Sequence, residues 1–340
     1  MNSRRSDARR ERGAALIVAL LVVAMVVMLA TALSSDFLYM FRRVENQLYS
    51  EQAYAYLRGA EALSRAALLY DLQKDDKDRN DNLAEDWAQP QQYPTDYGWI
   101  GGQLEDLQGR FNLNTLPLTK KLQPGEYSKE QWQFIRLLLA LKLEEPMSLD
   151  QAEALTDAVT DWIDRDSDVN GLGGAESQFY ESADPPGRPA NRPLVGPSEL
   201  MLVKGMTPEI YRALAPLVTV WPALATNNAI NINTAPVEVL RSLGADKDPQ
   251  PLSEGEIDAL LEARKAPKFI SDGDKAALLG GGVLANRKID MSSVVVKSDY
   301  FLLNTITDFE GHRYAMRSIL HRTSEGKKRV DVIARTFGDW

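Results

Sequence analysis

The chain has 340 residues, of which 44% are hydrophobic and 26% charged, and its formal net charge is −9 at pH 7. This length allows two or three domains with buried cores, and the absence of cysteine excludes disulfides and thiolate zinc sites. Residues 1–13 contain five arginines and two acidic residues, a net of +3, which leaves −12 for the remainder. An acidic body disfavours a polyanion as the main partner.

Residues 14–33, AALIVALLVVAMVVMLATAL, contain no charge and directly follow the basic segment. A helix needs about 20 such residues to cross a bilayer, whereas the apolar core of a signal peptide has about 7–15. The small-residue junction Gly13-Ala14 precedes the apolar run, so we expect the run to remain attached after processing. Basic residues before the span and an acidic body after it predict a cytoplasmic N-terminus and an external body. A plain membrane anchor is the alternative interpretation.

The apolar run continues without proline into residues 34–73, where apolar side chains recur at helical spacing. We therefore predict one helix over about 14–73, which would be about 90 Å long at 1.5 Å per residue. Its first part would lie in the membrane, and its amphipathic second part would present one apolar stripe to a folded domain.

The remainder predicts an α+β fold in which a large helical domain interrupts an antiparallel sheet. Residues 74–86 are a charged run interpreted as a solvated loop, and 97–105 suggest a strand pair or the start of a strand and turn. Helical patterns then dominate, and from residue 291 alternating β-branched residues with turns at Glu310-Gly311 and Glu325-Gly326 predict three strands. The expected divisions after the helix are 74–108 (start of the α/β head), 109–222 (inserted helical domain), 223–290 (second, hairpin-like helical subdomain) and 291–340 (C-terminal strands).

One short motif occurs twice in the helical region. The sequence Asn-Leu-Asn-Thr at 112–115 returns as Asn-Ile-Asn-Thr at 231–234, and a helical pattern follows each copy. Alternating asparagine and apolar residues suit a short strand, and Asn or Thr caps the next helix. The repeat suggests that each copy opens a helical subdomain, and it is too short to predict a solenoid.

The sharpest chemical signal is the segment DWIDRDSDVNGLGGAE, residues 161–176. Asp164, Asp166 and Asp168 alternate before a glycine-rich turn and Glu176, and calcium binds six to eight such oxygens. The loop differs from an EF-hand because Val169 occupies the position that requires glycine and Glu176 comes one residue late. The pattern predicts a calcium-type loop, with an acidic solvent-exposed loop as the alternative.

Enzyme signatures are missing from the sequence, which has two histidines, His312 and His321, and no H-E-x-x-H, P-loop or G-x-S-x-G motif. We therefore predict that the chain is not an enzyme. Residues 231–269 resemble the helix-hairpin-helix modules of DNA-binding proteins. However, residues 225–290 contain eight basic and ten acidic residues, so we expect a scaffold and no nucleic-acid partner.

The basic leader ending at Gly13, followed by GAALIVALL, resembles type IV prepilins. With GRFNLN, DWIDRDSD, ANRPLVGPSELMLVKGM and NINTAP, essentially the whole chain resembles the minor pseudopilin K family of type II secretion systems. This resemblance implies that a prepilin peptidase cuts after Gly13, that the amine of Ala14 is methylated, and that the retained helix packs into a filament.

The resemblance also predicts the position of the subunit in the pseudopilus and its calcium ligands. Most prepilins carry glutamate at the fifth residue after the cut, where this chain has Val18, an apolar substitution that the K family shares. The resemblance implies an inner-membrane subunit with a periplasmic head at the pseudopilus tip, beside minor pseudopilins I and J. A minor pilin of a type IV pilus and a membrane-anchored DNA-uptake adaptor are the alternatives. The implied calcium ligands are Asp164, Asp166, Asp168 and Glu176, with Asp161 as a further candidate and Asn170 as a carbonyl donor.

Overall fold

The computed structural model describes residues 3–74, 80–117, 126–225, 227–245, 247–265, 269–324 and 326–338, with side chains from Ala14 onward. Its helices are α1 (Ser3–Gln73), α2 (Lys129–Leu139), α3 (Leu149–Ile163), α4 (Ser177–Glu181), α5 (Pro208–Leu214), α6 (Val237–Arg241), α7 (Glu254–Ala263) and α8 (Asp272–Leu279). Its strands are β1 (Gln91–Thr95), β2 (Gly98–Asp106), β3 (Phe111–Asn112), β4 (Val218–Thr219), β5 (Ile230–Asn231), β6 (Val294–Val295), β7 (Tyr300–Phe309), β8 (His312–Thr323) and β9 (Arg329–Phe337).

Helix α1 is one continuous helix of 71 residues. It ends at Gln73 as predicted and begins at Ser3, before the predicted start, because the arginine-rich leader contains no proline. From Ala14 the helix is apolar enough to cross a membrane, with a mean hydropathy of 3.0 in its best window, and none of that window is buried. Contact with the rest of the protein begins near Tyr49 and Ala53.

The head, the part of the chain after α1, is built on a five-stranded sheet in the order β1-β2-β7-β8-β9, with antiparallel neighbours throughout. Strands β2 and β7 are paired although the helical residues lie between them in sequence, so the inserted helical domain is confirmed. The β7–β8 turn lies at Glu310-Gly311 as predicted, with positive φ at both residues as a two-residue hairpin requires. Helix α1 packs on one face of this sheet, where Leu68 joins a core with Phe301 and Leu303.

The inserted domain has two lobes that share one hydrophobic core. The first lobe (109–223) closes when β3 pairs in parallel with β4, and the second lobe (230–297) closes when β5 pairs in parallel with β6. These two-residue strands are too short for a periodic signal. Helix α5 ends at Leu214, because Pro216 lacks the N–H that would continue the α-helix.

The two lobes extend the head at its membrane-distal end. At the membrane-proximal end, the ring of Tyr49 lies 5.5 Å from that of Phe309, beside the β7–β8 turn. At the other end of the sheet, Asp71 in the last turn of α1 pairs with Arg322 at 2.9 Å. Strand β2 leads into the lobes at this distal end, where the side chain of Asn231 donates to Asp106 at 2.9 Å.

The interpretation of 74–86 as a solvated loop is wrong for its described C-terminal part. Residues 75–79 lie outside the described residues, but Asp81 is fully buried and bonds Arg322 at 2.6 Å. The charge of Arg322, itself fully buried, compensates this carboxylate, which a composition-based argument cannot reveal.

Candidate metal centre

Helix α3 positions the first residues of the candidate site. Its N-terminus carries a capping box, in which Ser148 and Gln151 satisfy each other's backbone N–H groups. Asp157 and Asp161 follow on α3 four residues apart, which puts both carboxylates on the same face of the helix. Both are buried, and the chain leaves the helix at Asp164.

The loop after α3 returns to the same place at the start of α4. Carboxylate oxygens of Asp164, Asp166 and Glu176 all lie within 4.8 Å of one another. Asp166 is exposed, Asp164 half-buried and Glu176 buried, so the group lies at the edge of the core with one side open to solvent. Three converging carboxylates are the donor set of a hard cation such as calcium.

The hydrogen bonding of this group leaves several buried oxygens without a partner of acceptable geometry among the described residues. These are Oδ2 of Asp161, Oδ1 of Asp164 and both carboxylate oxygens of Glu176. The other oxygen of Asp161 accepts from the backbone and side-chain nitrogens of Asn170, at 3.0 and 2.6 Å. Buried carboxylates without donors are costly, so the residues present fit a bound cation.

Burial and mutual repulsion act together on these carboxyl groups. Burial, and then the nearby charges of Asp166 and Asp161, raise the pKa of Asp164 to about 7. Burial also raises the pKa of Asp157 to about 6 and, with the charge of Asp161, raises the pKa of Glu176. Near neutral pH the site therefore favours either protons or a cation that replaces them.

Glycines allow the loop to close over these carboxylates. Gly171 has a φ of +51°, and a Cβ atom at Gly174 would overlap Oδ2 of Asp161 and the carbonyl oxygen of Asn170. The ammonium group of Lys204 donates to the carbonyl oxygens of residues 173 and 174 at 3.0 and 3.1 Å, which holds the turn from outside. Any side chain at Gly174 would fill the space beside Asp161.

The structure therefore brings most of the predicted ligands together. Asp164, Asp166 and Glu176 converge, and the charge of Asp161 acts on Asp164 and Glu176. Asp168 is exposed and outside the converging group, and its backbone N–H donates to Asp166 at 2.9 Å. Sequence reasoning missed Asp157, which a count of four residues back from Asp161 along the helix would have found.

A second acidic group lies at the distal end of α1. It consists of Asp71, Asp81 and Glu85, and the guanidinium of Arg322 pairs with the first two at 2.9 and 2.6 Å. Here the protein supplies its own cation, so this group differs chemically from the α3–α4 loop. It joins α1 to the start of the head.

The hairpin-like region in the second lobe uses basic side chains internally. Arg264 donates to the carbonyl oxygens of Ile232 and Ala235, and Arg287 pairs with Glu256 at 2.6 Å. Lys275 donates to a backbone carbonyl at 2.9 Å. These groups hold the lobe together, whereas a phosphate-binding hairpin presents such groups to the nucleic acid.

Among the described residues there is one membrane-type helix, and its continuation into an α+β head defines a membrane-anchored, pilin-like subunit with a large helical insertion. Two family models match within the insertion, "T2SSK_1st" over residues 109–223 and "T2SSK" over residues 230–297, and both are described as type II secretion system protein K. The chain is 33% identical to type II secretion system protein K of Pseudomonas aeruginosa, over 97% of this chain and 94% of that protein. It is 32% identical to the protein of the same name from Pectobacterium carotovorum, over 97% and 98% of the two chains.

The fold is also similar to that of a solved structure. A chain in the crystal structure of the GspK-GspI-GspJ complex from enterotoxigenic Escherichia coli matches with a TM-score of 0.72 and 27% identity, over 88% of this chain and all of that one. The chain belongs to the type II secretion system protein K family. It is a minor pseudopilin of type II secretion with a single-pass membrane anchor, a structural component of the secretion system. These matches argue against a type IV pilus minor pilin and a DNA-uptake adaptor.

Proposed function

We propose that this minor pseudopilin occupies the tip of the secretion pseudopilus, where it helps to start fibre assembly together with I-type and J-type minor pseudopilins. The observation that carries this proposal is the membrane-distal position of the two lobes. A subunit stacked above this one would meet their bulk, so the fibre grows only below it. Val18 agrees, because a top subunit has no neighbour above it that needs a carboxylate within the bilayer.

Gold labelling of assembled fibres tests the tip position. An epitope tag inserted at Gly187, where a Cβ atom would meet no heavy atom within 4 Å, should leave the fold intact. The full-length tagged chain should label only fibre ends. Labelling at regular intervals along the fibre would contradict the proposal.

We further propose that the N-terminus lies in the cytoplasm and that the head works in the periplasm without catalysing a reaction or binding nucleic acid. A prepilin peptidase would cut after Gly13 and leave Ala14 as the methylated N-terminus. The five arginines before the apolar run support this orientation. Replacing Gly13 with leucine should leave the leader attached, as measured by mass spectrometry of the purified chain, whereas Gly59→Ala should be cut normally.

We propose calcium as the cation of the α3–α4 loop. Asp164, Asp166 and Glu176 would hold it, Asp161 lies beside them, and Asp168 would contribute from the solvent side. The bound ion would neutralise the repelling carboxylates and stiffen the loop, and it would supply no reaction chemistry.

Terbium luminescence tests this site, because the indole of Trp162 is buried next to Asp161 and can sensitise a bound lanthanide. The full-length chain should give a terbium signal that calcium displaces. Asp166→Ala should abolish it, whereas Asp258→Ala in the second lobe should not. A signal that survives Asp166→Ala would reject this loop as the site.

A further inference from the structure

Helix α1 and the β1–β2 hairpin leave an open apolar trough between them. The trough has a volume of about 500 Å³. Its α1 wall carries mostly small residues, and its floor carries apolar groups of β1, β2 and the segment before them. The residues that form it on α1 are Ala55, Tyr56, Gly59, Ala60, Leu63, Ser64 and Ala67, and those opposite include Trp87, Tyr93, Ile100, Gly101, Gly102 and Leu104.

The described residues of the protein leave this trough open to solvent. Leu63 is 64% exposed and Tyr93 is 52% exposed, although both line it. A Cβ atom at Gly59 would meet no heavy atom within 4 Å. Small residues along one side of a helix let a second helix approach closely, at interaxial distances of about 8–10 Å.

The dimensions of the trough favour a helix as its occupant. Its α1 wall runs from Ala55 to Ala67, more than three helical turns or about 18 Å. Ala55 lies 22 residues beyond Leu33, the end of the apolar span, which corresponds to about 33 Å along the helix. The acyl chains of the membrane do not reach that height. A stalk helix anchored in the same membrane does.

The trough is continuous with an uncovered apolar face nearer the membrane. Phe41 and Leu48 are 56% and 51% exposed, and Ala55 at the start of the trough follows at the same seven-residue spacing. Positions seven residues apart lie on the same side of a helix, as in a coiled-coil seam. One partner helix running parallel to α1 can therefore cover Phe41, Leu48 and the trough together.

We propose that this trough receives the periplasmic half of the N-terminal helix of a second pseudopilin. The inference rests on the proposed assembly with I-type and J-type pseudopilins, and it names the surface that they would use. Sister subunits anchored in one membrane hold their stalks parallel and at the same height, so docking is effectively intramolecular. The interface would consist of apolar side chains from the partner inserted between α1 and β2.

Cysteine cross-linking in membranes gives the first test, with a clean background because the chain has no cysteine. Leu63→Cys points into the trough, and Arg58→Cys is a control at an exposed position of the same helix, about 140° around from Leu63 and away from the series Phe41, Leu48 and Ala55. Each variant is combined with single cysteines along the stalk helix of the I-type or J-type protein and then oxidised. Leu63→Cys should give at least about tenfold more heterodimer than Arg58→Cys, because a disulfide requires Cα atoms within about 7 Å.

Filling the trough gives the second test. Gly59→Trp should fold with an unchanged or higher unfolding temperature, since the position is open, but should reduce co-purification with the sister pseudopilins at least about tenfold. Arg58→Trp, on the side of the helix away from the trough, should leave co-purification unchanged.

The outcomes separate this proposal from the proposed function. If the wild-type chain does not co-purify with either sister protein, the assembly role itself fails. If it does, but Gly59→Trp binds them normally and Leu63→Cys cross-links no better than Arg58→Cys, the trough alone is wrong. Native mass spectrometry that finds a phospholipid on the wild-type chain and none on Gly59→Trp would also overturn it, since a lipid would then be the occupant.

Discussion

The two lobes of the helical domain begin with the same turn, yet only the first carries a group of uncompensated carboxylates among the residues that the structure describes. In each lobe the first asparagine of the motif accepts from the backbone N–H of the second at 3.0 Å, as seen at Asn112 and Asn231. The second asparagine then bonds the backbone of a distant segment through both side-chain atoms. Asn114 does so with Leu194, and Asn233 with Ile270.

The lobes differ in the segment that comes after their second helix. The first lobe has 44 residues between α3 and α5, including the acidic loop, whereas the second has only residues 264–271 between α7 and α8. The second lobe has the same turn followed by helices without such a carboxylate group among its described residues. Calcium dependence should therefore be local to the first lobe, and four predictions test this comparison.

The largest expected loss of stability comes from removing the asparagine side chain that bonds a distant backbone segment. Asn114→Ala removes bonds to the N–H and C=O of Leu194 and to the C=O of Val220, and should cost about 3–5 kcal/mol of unfolding free energy. Asn233→Ala removes two bonds, both to Ile270, and should cost about 2–3 kcal/mol. Urea unfolding of the detergent-solubilised chain measures both. Equal losses would show that the shared turn is not anchored more strongly in the first lobe.

Calcium removal should give the second-largest loss of unfolding free energy. At a calcium concentration of about one hundred times the dissociation constant, chelation should lower the unfolding free energy by about 2.7 kcal/mol. Hydrogen exchange should show lost protection in residues 157–176, with the second lobe unchanged. Equal loss of protection in both lobes would contradict a local ion effect.

The effect of a charge-removing substitution on stability should change sign when calcium is added. Without calcium, Asp164→Asn relieves repulsion from Asp166 and Asp161 and should stabilise the chain by about 1 kcal/mol; with calcium it removes a ligand and should destabilise it. The exposed Asp258 in the second lobe provides the control, and Asp258→Asn should change stability little in either condition. Thermal unfolding with calcium or with chelator measures this, and a destabilising effect in both conditions would argue against repulsion in the free loop.

The smallest expected effect is that of acidic pH on stability, and the stabilities of the two lobes should change in opposite directions. A hydrogen bond from Arg287 lowers the pKa of Glu256 to about 2, so the folded state binds fewer protons than the unfolded state. This contribution is present at neutral pH and is lost as the pH falls from about 4.5 to 2. Burial instead raises the pKa of Asp164 to about 7, so the ion-free first lobe gains stability as the pH falls from 8 to about 5.

Glu256→Gln separates these contributions. At pH 7 its free energy of unfolding should differ from that of the wild type by less than about 1 kcal/mol, because the pair is partly solvated. This difference should shrink toward pH 3. In chelator, Asp164→Asn should flatten the rise in unfolding temperature between pH 8 and 5. A difference for Glu256→Gln that stays constant with pH would mean that its pairing with Arg287 does not stabilise the fold.

Much of the fold follows from local patterns in the sequence. The end of α1 at Gln73, the capping box of α2 at Ser128 and the β7–β8 turn at Glu310-Gly311 were all predictable, because each depends on neighbouring residues. The carboxylate-rich loop of residues 161–176 was also predictable, since its carboxylates lie within 16 residues. The short parallel pairs β3–β4 and β5–β6 were not, because two residues show no period and their partners lie far along the chain.

The sequence by itself determined that the chain is anchored by a long apolar helix, that its sheet is interrupted by helices, and that carboxylates are concentrated after α3. Periodicity, capping and charge density are local quantities, and they can be recognised along the chain without its fold. Only the tertiary structure decided that Asp81 pairs with Arg322 in the core, that Asp157 lies beside the acidic loop while Asp168 lies outside its converging carboxylates, and that a trough remains open beside α1. Each of these depends on the packing of segments far apart in the chain, which sets burial and therefore the cost or benefit of every charge.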